Sequence, residues 1–157
     1  MENIIAATKD DIPQLVSLLH FLFTQEADFT PDADRQARGL SLIIESPQVG
    51  VILVARSGDE ITGMVNLLFT ISTAEGGPVC WLEDMVVRPE SRGGGVGSRL
   101  LAAAIDHARR HGFLRMTLLT DKINSGAQRF YQRHGFTESG MTTLRLSLNT
   151  PDVVQAS

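Results

Sequence analysis

A chain of 157 residues with a formal charge of −4, from 14 basic and 18 acidic side chains, has the size of one globular domain whose core needs no disulfide or metal staple. The charges are mixed along the sequence, which leaves no basic footprint for nucleic acid or an anionic membrane and favours a small-molecule partner. Cys80 is the only cysteine, so an intrachain disulfide is excluded, and no Cys/His cluster has the spacing of a zinc site. The N-terminus has no basic and apolar leader pattern, and no stretch approaches a membrane span; the expectation is a cytoplasmic protein, with one domain over 1–150 and a flexible tail over 151–157.

From the N-terminus, residues 3–7 read as a short strand, and Thr8-Lys9-Asp10-Asp11 supplies a hydroxyl and carboxylates that can cap a helix. Ile12, Leu15, Val16, Leu19, Leu22 and Phe23 recur at three- and four-residue spacing, which predicts a core-facing helix over 11–23, with Pro13 in the first turn where its missing N–H costs little. After a polar stretch, a second helical stripe over 32–45 runs through Ala33, Ala37, Leu40 and Ile44 and stops at Ser46-Pro47. Residues 49–55 and 61–71 are apolar and β-branched and are divided by Ser57-Gly58-Asp59-Glu60, which predicts an antiparallel hairpin. Gly76-Gly77-Pro78 turns the chain again, into an apolar strand over 79–87.

Pro89 breaks that strand, and Gly93, Gly94, Gly95 and Gly97 precede a helix over 97–111 whose Leu100, Leu101, Ala104, Ile105 and Ala108 share one side, with Gly112 as its stop. Arg109, Arg110 and His111 suit the negative end of that helix dipole. A strand over 113–119 and a short helix over 125–134 follow; strand, crossover helix, strand predicts parallel pairing. Residues 143–148 alternate, as in a final antiparallel strand or a segment meeting a partner across a homodimer contact. His20, His107, His111 and His134 share no spacing and carry no site. The fold class is α+β: a mixed, mostly antiparallel sheet of six or seven strands, flanked on both faces by about four helices.

The junction at residues 87–98 suits a phosphate. Glycines let the backbone approach an anion, a helix start offers free N–H donors and the positive end of its dipole, and Arg92 can fork onto phosphate oxygens. Gly97 is followed by Ser98 and Arg99 rather than the Lys-Ser/Thr of a Walker loop, and Arg92-x-x-Gly95-x-Gly97 is not the dinucleotide G-x-G-x-x-G. This Arg-x-x-Gly-x-Gly, after a strand ending Val86-Val87-Arg88-Pro89, resembles the acetyl-coenzyme A loop of the GCN5-related N-acetyltransferases (GNAT), and the resemblance extends over residues 3–148.

The resemblance implies acetyl-coenzyme A as co-substrate and no metal. It would place the pyrophosphate on Arg92, Gly93, Gly94, Gly95, Val96, Gly97 and Ser98, and pair the pantetheine amides with the backbone of Met85, Val86 and Val87. Asn124 and Tyr131 match the family pattern Asn…Phe-Tyr-x-x-x-Gly-Phe. By that match Asn124 holds cofactor or an ordered water, and the Tyr131 hydroxyl protonates the departing thiolate. The stretch between the first two helices covers one end of the substrate cleft in the family, which makes Glu26 and Asp28 candidates to meet a cationic amine.

Transfer to an amine also needs a base, because an alkylammonium is only about one part in a thousand neutral at pH 7 and only the neutral form attacks a thioester. Glu83 and Asp84 lie inside the apolar strand over 79–87, where a carboxylate is costly to bury unpaired. Strand alternation puts Trp81, Glu83, Met85 and Val87 on one face and Leu82, Asp84 and Val86 on the other, so both acids reach one pocket only through a bulge. Glu83 is the first candidate for the base, with Asp84 beside it in substrate binding. Leu82-Glu83-Asp84 resembles the strand of family members acting on polyamines and on glucosamine phosphate. A small aliphatic amine or polyamine is therefore the favoured acceptor, ahead of an amino-sugar phosphate or a protein amine. Cys80 has no His partner in sight and is not read as a covalent nucleophile. From a different class, a non-catalytic acyl-coenzyme A sensor would keep the loop and lose the chemistry; Glu83 and Tyr131 speak against it.

Overall fold

The computed structural model describes residues 2–25 and 32–149. Five strands and four helices follow one another as β1 (Asn3–Ala6), α1 (Ile12–Gln25), α2 (Ala33–Ile44), β2 (Gly50–Ser57), β3 (Glu60–Ser72), β4 (Gly77–Val87), α3 (Val96–Arg110), β5 (Met116–Leu118) and α4 (Ser125–Arg133), with 3-10 turns at Lys9–Asp11 and Pro89–Ser91. The sheet keeps chain order, β1-β2-β3-β4-β5. All neighbours are antiparallel except β4 and β5, which are parallel across the α3 crossover, as the strand–helix–strand pattern predicts.

Strand alternation divides the core in two. Ile52, Val54, Met64 and Val86 face α1 and α2, where Leu15, Leu18, Leu19 and Leu40 cover them. Their neighbours Leu53, Ala55, Val65 and Leu67 face Leu100, Leu101 and Ala104 of α3. Each helix starts where its sequence provides acceptors or tolerates their absence: Thr8 and Asp11 close a capping box before α1, and the Asp32 carboxylate accepts the Arg35 N–H at 3.1 Å before α2.

Three expectations are corrected. The sheet has five strands among the described residues rather than six or seven. Residues 143–148 form no strand: Leu144 is 92% exposed and Leu148 90%, because alternation alone cannot make a strand without a neighbouring edge to bond. The strand expected over 113–119 shrinks to β5, Met116–Leu118, for the same reason, since β4 offers it pairing only at Cys80, Trp81 and Leu82. The tail at 151–157 lies outside the described residues.

Candidate active site

The site is built on a break in β4. Asn66 of β3 pairs with Asp84 and Leu67 pairs with Leu82, so Glu83 is an extra residue opposite no partner. This β-bulge resets the alternation, and the face assignment read from the sequence fails there: Leu82 and Met85, three apart, both belong to the α3-side core. The bulge is what lets Glu83 and Asp84 line one cleft together. On the opposite edge β4 pairs with β5 only as far as Leu82, so from Glu83 to Val87 that edge has no strand beside it. The two parallel strands part at the bulge.

The cleft lies between α1, α2 and the β3–β4 ribbon and has a volume of about 310 Å³; Leu19, Phe23, Leu40 and Leu68 give it apolar walls. A larger hollow of about 580 Å³ beside α1 and α2, bordered by His20, Gln36 and Arg88, contains neither carboxylate. Within the smaller cleft the two acids differ. Glu83 is exposed, whereas Asp84 is half-buried and accepts a hydrogen bond from Asn66 Nδ2 at 3.0 Å. Burial pushes the Asp84 carboxyl up to about 6, with the nearby Glu83 charge adding to the rise and the Asn66 bond opposing it.

Tyr131 stands on α4, against Phe130 and Phe136 at centroid distances of 5.2 and 5.7 Å. Its hydroxyl makes no hydrogen bond with any described residue. It is therefore not a buried phenol held by a backbone group. Burial and the charge of Asp84 push its pKa up to about 12, so the phenol is protonated across the physiological range.

The glycine loop meets this arrangement at the end of β4. Gly93 and Gly95 adopt φ of 89° and 84°, values that side chains disfavour, and Gly95 starts α3. The N–H groups of Val96, Gly97 and Ser98, in the first turn of α3, have no intrahelical acceptors. Gly97 abuts Met85 and Val87 of β4 and Phe130 of α4, which brings loop, strand edge and α4 together. Arg99 braces the loop from behind, donating to the Gly94 carbonyl at 3.0 Å and pairing with Glu2. Arg92 gives its Nε–H to the Val87 carbonyl at 3.0 Å and is otherwise exposed; Val96 is a core residue that offers the loop only its backbone.

Of the remaining candidates, Asn124 is the N-cap of α4, its Oδ1 accepting the Ala127 N–H at 3.0 Å. Glu26 and Asp28 lie outside the described residues. Cys80 is buried and its thiol is pushed up to about 11 by that burial, the wrong direction for a nucleophile. Sequence reasoning missed Asn66, Arg35 and Gln36, all of which line the cleft. Asn66 had a signal, a lone amide inside the apolar run Met64-Val65-Asn66-Leu67-Leu68. The α2 pair had none, since polar helix residues look alike in sequence whether they face a cleft or solvent.

The profile of the acetyltransferase (GNAT) family matches residues 13–136. The chain belongs to the GNAT family. Among relatives, the aminoalkylphosphonate N-acetyltransferase of Salmonella typhimurium (strain LT2) is 31% identical over 133 residues, covering 85% of this chain and 83% of that protein. The uncharacterized N-acetyltransferase YhfO of Bacillus subtilis (strain 168) is 36% identical over 88 residues, 56% of this GNAT chain and 59% of YhfO, so that match spans under two thirds of the relative's length. A solved aminoglycoside N-acetyltransferase in complex with coenzyme A shares the fold, with a TM-score of 0.79, coverage of 94% and 95% and 19% identity. GNAT proteins are acetyl-coenzyme A-dependent acyltransferases, and this chain has their mixed α+β sheet with helices on both faces.

Proposed function

We propose that this protein transfers an acetyl group from acetyl-coenzyme A to a primary amine by direct attack, with a small aliphatic amine as acceptor. The observation that supports the reading is the end of β4–β5 pairing at Leu82 beside the Glu83 bulge, which leaves a strand edge unbonded next to a carboxylate pair, with the unpaired phenol of Tyr131 near enough to feel the Asp84 charge. The residues present fit the co-substrate. The edge at Met85, Val86 and Val87 that β5 leaves unpaired offers main-chain groups for amides, the Val87 carbonyl already accepting from Arg92 Nε–H, and the N–H groups at the start of α3, with the other N–H groups of Arg92, offer donors for phosphates. When bound, acetyl-coenzyme A supplies an acetyl group activated as a thioester.

The protein's own groups handle the protons. Moving a proton from an ammonium near 10.4 to an ordinary aspartate is uphill by about 6.5 units, or ~9 kcal/mol. At about 6, Asp84 reduces that cost by ~3 kcal/mol while staying mostly ionised at pH 7. The burial that raises its basicity thus favours Asp84 as the base, held in place by Asn66, with exposed Glu83 drawing in the cationic amine and relaying its proton through water. Tyr131, protonated at neutral pH, would offer its O–H to the departing sulfur; a thiolate of pKa about 8.5 would share that proton rather than remove it from so weak an acid. The amine character of the acceptor is further supported by the Salmonella relative, whose name gives an aminoalkylphosphonate as substrate.

The test is thiol release from acetyl-coenzyme A against polyamines, amino acids, amino sugars, aminoalkylphosphonates and peptides, with wild type beside Asp84→Asn, Glu83→Gln and Tyr131→Phe. Amine-dependent release that collapses in Asp84→Asn and Tyr131→Phe is expected. Coenzyme A binding without release from any amine would instead make the protein a sensor.

A further inference from the structure

The two walls of the 310 Å³ cleft carry unsatisfied hydrogen-bonding groups of opposite kind. On the β3–β4 wall, Asn66 is 2% exposed; its Nδ2 is spent on Asp84, and its Oδ1 is buried with no donor. With the carboxylates of Glu83 and Asp84, that wall presents acceptors in need of a donor. On the α2 wall, Gln36, which stands between this cleft and the 580 Å³ hollow, has a buried Nε2 that donates to nothing, and Arg35 beside it makes a single exposed ion pair, with Asp32 at 3.6 Å. Such a pair holds its guanidinium weakly. This wall presents donors in need of an acceptor. Buried polar groups left unpaired in a native fold destabilise it unless a ligand or water completes them, and here both sets belong to residues that line one cleft, of a size at the small end for ligand sites.

We infer, resting on the transferase reading above, that the acceptor is a short amine carrying one anionic group, its ammonium held by Asn66 Oδ1, Glu83 and Asp84 and its anion by Arg35 and Gln36. Arg35 is then a specificity-determining residue. A polyamine fits poorly, because its second ammonium would meet the Arg35 guanidinium and leave Gln36 Nε2 without an acceptor. The anion is a carboxylate or a phosphonate/phosphate, both of which accept the forked donors of arginine.

The experiment is calorimetric titration of the coenzyme A-saturated protein with 3-aminopropylphosphonate, β-alanine, propylamine and 1,3-diaminopropane, with thiol release from acetyl-coenzyme A measured on the same four amines. The anionic amines are expected to bind at least about tenfold tighter than propylamine, the size of one charge-assisted hydrogen bond, and the diamine weakest of all. Arg35→Gln should bring the ratio of anionic amine to propylamine toward one, and Arg35→Glu should turn the preference toward the diamine. Arg35 is exposed at the start of α2, so both variants are expected to fold, which circular dichroism checks. The order of the phosphonate and the carboxylate names the anion. Equal affinity for all four amines, binding of none of them, or an unchanged ratio in Arg35→Gln overturns the inference. Discrimination by binding with no thiol release overturns the transferase reading and leaves this one standing.

Discussion

The two halves of β4 are one strand put to opposite uses. Residues 77–82 run between β3 and β5, and Val79, Cys80 and Leu82 are 2%, 1% and 4% exposed. Residues 83–87 keep β3 and lose β5, and that half holds an exposed glutamate, a half-buried aspartate of raised pKa and an open edge. Where both edges are bonded, the backbone is satisfied and the side chains serve only packing. Where one edge is open, its N–H and C=O groups need a partner from outside the fold, and a polar group buried there stays available for chemistry. The difference arises at one inserted residue, Glu83.

Substitutions in the two halves should therefore separate activity from stability. The largest effect is expected from Asp84→Asn, which removes the proton acceptor: kcat/KM should fall by about 10²- to 10⁴-fold. In the wild type kcat/KM should rise with pH as Asp84 ionises around pH 6, and that limb should vanish in the variant, as a pH series of thiol release would show. Tyr131→Phe comes next, with a loss of about 10²-fold falling on kcat rather than on coenzyme A affinity. A comparable fall in affinity with kcat intact would make Tyr131 a binding group only.

In the fully paired half, Leu82→Ala should destabilise the fold by about 2–5 kcal/mol through the cavity it leaves, seen as a lower denaturation midpoint with near-normal turnover per folded molecule. Asp84→Asn should do the reverse. The folded carboxyl titrates near 6 and the unfolded one near 3.8, so the native state binds more protons between these values and wild-type stability falls as pH rises through that window. The asparagine variant should lack this fall and melt several degrees higher at pH 7, given about 2–4 °C per kcal/mol for a chain of this size. The smallest effect is reserved for Cys80→Ala. A thiol buried in the paired half and pushed up to about 11 takes no part in turnover, so activity should stay within about twofold while thiol reagents cease to label the unfolded chain.

Much of this protein is local in origin and therefore legible in the residues. Apolar spacing predicted α1, α2 and α3, the turn Ser57-Gly58-Asp59-Glu60 predicted the β2–β3 hairpin, and strand–helix–strand predicted the one parallel pair, because each pattern reports a period or a turn that needs no distant partner. The glycine loop was legible for the same reason: its φ values and the helix start behind it are set within a few residues. Only the tertiary structure decided the rest. Whether Glu83 bulges depends on the register of β3, where β4 loses its second neighbour depends on how far β5 runs, and which acid is the less exposed follows from both. Arg35 and Gln36 meet Asn66 and Asp84 across separations of about thirty to fifty residues, and no periodicity encodes that encounter. The alternation at 143–148 shows the converse: a strand pattern without an edge to bond remained exposed chain, because a sheet is stabilised by pairs and not by single strands.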